Sequence, residues 1–174
     1  PVSSAALNGS AITFPATGTW TIVSGSGVVA DPTQPNTTIT GLTPGITVVE
    51  WTVSSGPCAN GITSDQLLIT LFDANNPVAD AGVDQELCTP SGTTTGTTLQ
   101  GSTVIFPAVG TWSLVGGTGD IADPNDPNSA VTGLSIGENV FLWTVNNGEC
   151  HDPISTDLVS IYVIDEDNRH AVAG

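Results

Sequence analysis

FPAVGTWSLVGGTGDIADPNDPNSAVTGLSIGENVFLWTVNNGEC occupies residues 106–150, and a near copy, FPATGTWTIVSGSGVVADPTQPNTTITGLTPGITVVEWTVSSGPC, occupies residues 14–58. The two stretches align without a gap at a constant offset of 92 residues. When that offset is extended in both directions, residues 1–76 align with residues 93–168, and 32 of the 76 pairs are identical. An internal repeat of this length decides the architecture before any single motif does. The sequence therefore predicts two tandem copies of one folding unit.

Each copy carries the sequence pattern of a β-sandwich. Turn signals recur roughly every eight to twelve residues, separated by segments rich in β-branched and aromatic residues. No stretch shows helical periodicity. In the second copy the pattern predicts strands near residues 79–88, 97–105, 110–116, 119–122, 129–134, 138–146 and 155–164. The first copy has counterparts 92 residues earlier, except that its first strand would precede Pro1.

We therefore expect an all-β chain of two tandem antiparallel β-sandwiches, the first lacking its N-terminal strand in this sequence. The predicted units are residues 1–76 and 77–168, and residues 169–174 begin a following repeat. The join between the copies, FDANNPVADAGVDQ (72–85), is short and has Pro77 near its centre. Because proline stiffens a short linker, we expect the two units to be joined end to end without free flexibility.

Alternation along the strands predicts which side chains face the core. The inward positions at matching places are Val49, Trp51, Val53, Leu67, Ile69 and Leu71 in the first copy, and Phe141, Trp143, Val145, Val159, Ile161 and Val163 in the second. In the strand at 110–116, Trp112 and Leu114 are expected to point inward together. Their counterparts in the first copy are Trp20 and Ile22. Since tryptophan favours burial, we predict two core tryptophans per unit, on strands that face each other across the two sheets.

The composition excludes several classes of partner. The formal net charge is −16, with a single basic residue, Arg169, besides the two histidines, and no lysine. A surface this acidic repels phosphate backbones and lacks the Lys/Arg clusters that dock on anionic lipid. No apolar run approaches the roughly 20 residues of a membrane span. We expect no nucleic-acid partner and no membrane insertion within this sequence.

The three cysteines follow the repeat. Cys150 matches Cys58, whereas Cys88 matches a position that would lie ahead of Pro1. Two cysteines per full repeat are typical of a structural disulfide in an oxidising, extracellular setting. We predict a Cys88–Cys150 bridge, which would close a loop of about 60 residues and contribute roughly 4 kcal/mol in the chain-entropy model. Cys58 would then be unpaired within this sequence, and the alternative is a pair of buried thiols in each repeat.

Oxygen-bearing side chains gather at the join between the copies, at Asp73, Asn75, Asp80 and Asp84. Hard cations such as Ca²⁺ prefer carboxylate and carbonyl oxygens. The sequence is therefore compatible with a calcium site that fixes the join. The spacing matches no specific loop such as the EF-hand, and the alternative is solvated carboxylates that cap turns. No other cofactor is expected.

Catalytic chemistry has little support in the sequence. His151 aligns with Ala59 and His170 aligns with Val78, so neither histidine recurs in the other copy. No nucleophile elbow, phosphate loop or paired His-Glu motif is present. Because the two copies share mainly core and turn residues, we predict that the chain is not an enzyme.

Four segments in order, ADAGVDQELC (79–88), GTWSLVGGTG (110–119), DPNDPNSAVTGL (123–134) and FLWTVNNGEC (141–150), resemble the PKD-like, immunoglobulin-like repeats of large surface proteins of Bacteroidota. That group includes gliding-motility-type adhesins exported by the type 9 secretion system. The resemblance covers essentially the whole chain. It implies immunoglobulin-like sandwiches, a location on the bacterial cell surface, and a stalk or adhesive role. It also supports the cysteine pairing given above and supplies no catalytic residues.

One departure from that pattern leaves two hypotheses open. The first copy lacks the ADAG…Cys strand, so either the same polypeptide supplies it ahead of Pro1 or another subunit does, as in donor-strand fibres. The partners implied are neighbouring repeats, with other filament subunits or surface glycans as alternatives. Two functions compete with the rigid stalk: a glycan- or protein-binding module of a secreted multidomain protein, and a fibre subunit assembled by strand donation.

Overall fold

The computed structural model describes residues 3–56, 61–93, 95–149 and 153–169. The chain divides into two compact units, Pro1–Ala74 and Asn75–Gly174. This division falls two residues before the boundary expected from the repeat.

The first unit contains six described strands, and they form two three-stranded sheets. The strands are β1 (Ala5–Asn8), β2 (Thr17–Ser24), β3 (Val28–Val29), β4 (Asn36–Thr40), β5 (Gly45–Ser54) and β6 (Ile62–Leu71). One sheet has the order β1-β4-β3 and the other has the order β2-β5-β6. All four strand pairs are antiparallel. The longest strands, β5 and β6, form a hairpin with ten residue pairs in register.

The second unit repeats this arrangement with one strand more. Its strands are β7 (Gln85–Thr89), β8 (Thr95–Thr98), β9 (Val109–Gly116), β10 (Asp120–Ile121), β11 (Ala130–Leu134), β12 (Gly137–Asn146) and β13 (Ile154–Asp165), and a short 3-10 helix (Glu166–Arg169) follows. The sheets have the orders β10-β11-β8 and β7-β13-β12-β9, and β7 runs parallel to β13. Each unit is an immunoglobulin-like β-sandwich, which confirms the predicted all-β fold class.

The predicted strands of the second copy are found with two differences at the N-terminal end. The first strand begins at Gln85 instead of residue 79, and the second covers Thr95–Thr98 instead of 97–105. Residues 79–84 form no strand; the backbone N–H groups of residues 79–82 bond to side chains, which alternation alone does not reveal. The edge of the sheet is therefore held by side-chain hydrogen bonds before Gln85 and by strand pairing with β13 from Gln85 onward.

The inward faces predicted for the second unit are confirmed. Its buried core contains Ala81, Leu99, Trp112, Val131, Leu134, Phe141, Trp143, Val145, Val159, Ile161 and Val163. The first unit has a smaller buried core, made of Leu7, Trp20, Ile39, Leu42, Val49 and Trp51. Val53, Ile69 and Leu71 are only partly buried against it. The first unit therefore buries less apolar surface than its sequence pattern predicts.

The tryptophans of each unit are buried, but their predicted placement on opposite sheets is wrong. Trp20 pairs directly with Trp51 across β2 and β5, and Trp112 pairs with Trp143 across β9 and β12. Their ring centroids lie 5.1 and 4.9 Å apart, with the rings tilted by 40° and 39°. Directly opposed residues of an antiparallel pair bring their side chains into contact, so each tryptophan pair stabilises one sheet and covers its inner face.

Leu114 and Ile22 lie opposite the buried Phe141 and Val49, on the inward face as predicted, but they are not buried. Their exposed fractions are 41% and 37%. In both units the register between the paired strands shifts just beyond the tryptophan, between Val140 and Phe141 in the second unit and between Ile22 and Ser24 in the first. A bulge bends its strand, and in each unit it follows directly after the exposed Leu114 or Ile22.

The proline-rich segments after β3 and β10 form turns, as predicted. The carboxylate of Asp31 accepts hydrogen bonds from the backbone N–H of Thr33 (2.9 Å) and from its hydroxyl (2.8 Å). These bonds lower the pKa of Asp31. In the second unit, the carboxylate of Asp123 accepts the backbone N–H of Asn125 at 2.9 Å. These Asp-initiated turns fix the return of the chain toward the next strand.

Candidate functional site

The two units differ most at one edge of the larger sheet. In the second unit β7 covers the edge of β13 along five residue pairs, from Ile161–Gln85 to Asp165–Thr89. In the first unit the corresponding sheet ends at β6 among the described strands. An edge strand presents unpaired N–H and C=O groups to any chain that approaches it. This edge is the candidate functional site.

In the second unit, the segment just before β7 is bound by side chains of β13. The backbone N–H of Ala79 donates to Ser155 Oγ at 2.8 Å, and that of Ala81 donates to Asp157 Oδ2 at 2.8 Å. The Ala81 methyl group belongs to the buried core. The segment is thus bound by directed hydrogen bonds and by burial of a small apolar group.

A second wall of this site is formed by Ser102, which follows β8. Its backbone N–H donates to the carbonyl of Asp80 at 2.7 Å, and its hydroxyl accepts the Asp80 N–H at 3.2 Å. The same hydroxyl donates to the carbonyl of Val78 at 3.2 Å. Gly82 has φ +81°, and a Cβ there would lie 2.8 Å from the carbonyl oxygen of Gln100. Glycine is therefore required where the segment turns past this wall.

In the first unit, a cavity of about 210 Å³ is found in the region that corresponds to this site. We call it the edge groove; it is lined by Asn8, Gly9, Ser10, Trp20, Trp51, Asp65, Gln66 and Leu67. By the repeat, Ser10 and Asp65 correspond to Ser102 and Asp157, and Thr63 takes the place of Ser155 with its hydroxyl kept. The hydrogen-bonding groups that hold the segment in the second unit are therefore all present in the first.

The edge groove explains why one predicted core residue is exposed. Leu67 was expected to face inward, yet 40% of it is exposed, whereas its counterpart Val159 is 1% exposed. The neighbouring Leu68 is also exposed. The strand pattern placed Leu67 correctly on the inner face, but no described strand covers that face at the edge of the first unit. The burial prediction for Leu67 is wrong for this reason.

The sequence reasoning singled out Trp20, Trp51 and Leu67 as core residues, but not the polar residues that line the groove. One signal was available: Ser10 and Asp65 are polar, lie outside the turn motifs, and are identical to Ser102 and Asp157 in the other copy. Polar residues retained between two copies that otherwise share core and turn positions indicate a common bonding role.

The predicted disulfide involves residues that the structure describes only in part. Cys88 lies on β7 with its side chain exposed, whereas Cys58 and Cys150 lie outside the described residues, so the bridge stays a prediction.

The carboxylates proposed for calcium have other roles where their contacts are described. Asp80 Oδ1 accepts the N–H of Gly82 at 2.9 Å, and Asp84 Oδ1 accepts the N–H of Ser160 at 2.8 Å. Asp73 is the penultimate residue of the first unit and Asn75 begins the second. Among the described residues, no group of three or more His, Cys, Asp or Glu side chains is placed to hold a metal ion. These bonds favour the alternative of capping carboxylates.

A chelator experiment distinguishes calcium binding from capping. Because Asp80 and Asp84 already satisfy backbone donors within the second unit, we expect the Tm of both units to be the same in EDTA and in excess Ca²⁺. Differential scanning calorimetry of the whole chain measures this directly. A Tm that rises with Ca²⁺, and loses that rise in an Asp73→Asn variant, would instead support the calcium site.

The described residues offer little for catalysis. Both histidines lie outside them, and the carboxyl group whose pKa is lowered belongs to the exposed turn residue Asp31. No helix in the described part of the chain is long and apolar enough to cross a membrane.

The two units form a tandem module of immunoglobulin-like sandwiches. Many cell-surface domains share this architecture. No family model and no curated protein matches the chain. Among solved structures, the chain is similar to the PKD domain from KIAA 1837 protein, with 30% identity over 55% of this chain and 92% of that one, at a TM-score of 0.42.

Two other solved structures cover nearly the whole chain. Human mucin-like protocadherin EC1-2 is 14% identical, with 93% of this chain and 98% of that one covered, at a TM-score of 0.35. The fibronectin(III)-like modules of Clostridium thermocellum CbhA are 11% identical, with 98% and 99% covered, at a TM-score of 0.37.

Proposed function

We propose that this chain is a structural repeat module of an extracellular bacterial surface adhesin or filament, in which it acts as a rigid stalk. The observation that carries the proposal is what the two units have in common. The residues they share build the core and the turns, including the paired tryptophans and the turn-forming Asp31 and Asp123. Selection that retains packing and turns in each copy favours a spacer over a catalytic site.

The proposed mechanism is mechanical. Each unit resists extension through long hairpins, β5–β6 and β12–β13, whose strands pair along ten residues each. The acidic surface keeps neighbouring molecules apart, because like charges repel and carboxylates favour solubility. We expect the short join containing Pro77 to be stiff, because proline restricts a short linker. A binding tip or a further subunit would thus be held at a distance from the cell.

Small-angle X-ray scattering of the whole chain tests the stiffness on which the stalk depends. We expect a narrow distribution of distances between the two units, and a broader one in Pro77→Gly because glycine restores backbone freedom to the join. Pro44→Gly, within a loop of the first unit, is the matched control and should leave the distribution unchanged. A broad distribution in the natural chain that Pro77→Gly does not alter would contradict the proposal.

A second candidate function, glycan or protein binding through loops, is favoured by one observation. Phe14 and Phe106 occupy matching positions, and 94% and 63% of their side chains are exposed. An exposed aromatic ring offers a large apolar area that a ligand can cover. A screen of the whole chain against glycans and surface extracts, repeated with Phe14→Ala and Phe106→Ala combined, tests this function. Absence of any binding that depends on these rings would count against it.

A further inference from the structure

We propose that the edge groove of the first unit is a binding site for an extended peptide strand of the repeat's own Ala-Asp-Ala-Gly type. The sequence of residues 78–87, VADAGVDQEL, is the representative occupant. The strand would lie parallel to β6, as β7 lies parallel to β13. This inference goes beyond the stalk, since it assigns a recognition site with a defined sequence preference.

The first argument is that the acceptors for the strand are present and accessible. In the second unit, Asp157 Oδ2 binds the N–H of the central alanine, Ala81. In the first unit, Asp65 occupies the same position and lines the groove. Among the described hydrogen bonds, Asp65 Oδ1 accepts only the adjacent N–H of Gln66, at 3.0 Å. Its Oδ2 can therefore accept a backbone N–H of an added strand. Bonds from N–H to a carboxylate are among the stronger hydrogen bonds in proteins.

The second argument concerns the apolar part of the groove. Trp51 and Leu67 line it, and their counterparts Trp143 and Val159 belong to the same buried core cluster as Ala81. In the second unit the Ala81 side chain is 1% exposed, so a side chain larger than its methyl group would overpack that core. The groove therefore selects a small residue at the central position.

The third argument is the edge of β6, which no strand in the described part of the chain covers. In the second unit, the N–H of Ser160 binds Asp84 Oδ1 at 2.8 Å, and the next residues pair with β7. The corresponding residues are Leu68 and those that follow it, and Leu68 is exposed. A strand added here gains main-chain hydrogen bonds, which provide affinity, while the alanine position provides specificity.

The charges of the peptide and the chain predict how the binding affinity depends on salt. The peptide carries three carboxylates, at Asp80, Asp84 and Glu86, and the chain has a net charge of −16. Salt screens repulsion between like charges. The affinity should therefore rise as salt is added, the reverse of what an opposite-charge docking surface shows.

The test uses the whole chain and a blocked synthetic peptide of residues 78–87, which omits Cys88. Titration is followed by tryptophan fluorescence, because Trp20 and Trp51 line the groove, and by the Tm of the first unit. We expect a saturable signal, a higher Tm for the first unit and an unchanged Tm for the second. A peptide with Ala81→Arg should not bind, since the arginine side chain exceeds the space for a methyl group.

Matched variants of the chain show whether the peptide binds at the edge groove or elsewhere on the surface. Asp65→Ala should weaken peptide binding about tenfold or more, the effect of losing a hydrogen bond to a charged group, whereas Asp157→Ala in the second unit should not. The proposal is overturned by an absence of saturable change up to about millimolar peptide, by equal binding of the Ala81→Arg peptide, or by equal effects of the two Asp variants. Self-association of the chain that the peptide reverses would support the site and identify a second copy as one source of the strand.

Discussion

Replacing Trp143 with alanine is expected to lower the free energy of unfolding of the second unit by about 3–5 kcal/mol. The side chain is fully buried, packs against Trp112 and donates from Nε1 to Ser102 Oγ at 3.2 Å. Its removal loses apolar burial and leaves a cavity that the two sheets close only in part. Chemical denaturation followed by near-ultraviolet circular dichroism measures the loss, and the transition of the first unit should not move.

The matched variant is Trp51→Ala in the first unit. Trp51 occupies the same register position but lines the edge groove, so part of the space it would vacate is already open to water. We therefore expect a smaller loss, about 2–3 kcal/mol. Equal losses in the two units, or a loss below about 1 kcal/mol for Trp143→Ala, would show that the covering strand does not complete the core as the structure indicates.

Sequence reasoning was most successful where a feature is repeated along the chain. The period of 92 residues, the turns at Asp31 and Asp123, and the inward face of β12 follow from local pattern, because alternation and turn chemistry act over a few residues. Their physical causes are short-ranged, so one strand or one turn carries enough information. These are the elements that the structure confirms.

The incorrect predictions concern relations between strands, and the residue pattern of a single strand does not contain that information. The side-by-side pairing of Trp112 with Trp143 depends on which strands are neighbours, and Leu114 is exposed just before the register of β9 shifts. The exposure of Leu67 depends on whether another strand covers β6. The edge groove belongs to the same class, because its acceptor Asp65 is separated by more than fifty residues from its other wall at Ser10.

Gly110→Ala is expected to destabilise the second unit by about 1–3 kcal/mol, although alanine normally favours a strand over glycine. The Trp143 ring lies directly against Gly110, and a Cβ there would overlap the Cζ2 and Cη2 atoms of that ring. Gly18 stands in the same relation to Trp51. The Gly-Thr-Trp motif of both copies is therefore a packing motif, in which the glycine makes room for the tryptophan of the neighbouring strand.

The control for this prediction lies in the same strand. A Cβ on Gly116 would meet its nearest neighbour, Val140 Cγ2, at 3.8 Å, an ordinary van der Waals distance. Gly116→Ala should therefore be neutral or stabilise the second unit by up to about 1 kcal/mol, because alanine loses less backbone entropy on folding. Urea denaturation of both variants gives the comparison. If Gly110→Ala were as stable as Gly116→Ala, the tryptophan ring would not be confined by the β9 backbone, and the assignment of the motif to packing would be wrong.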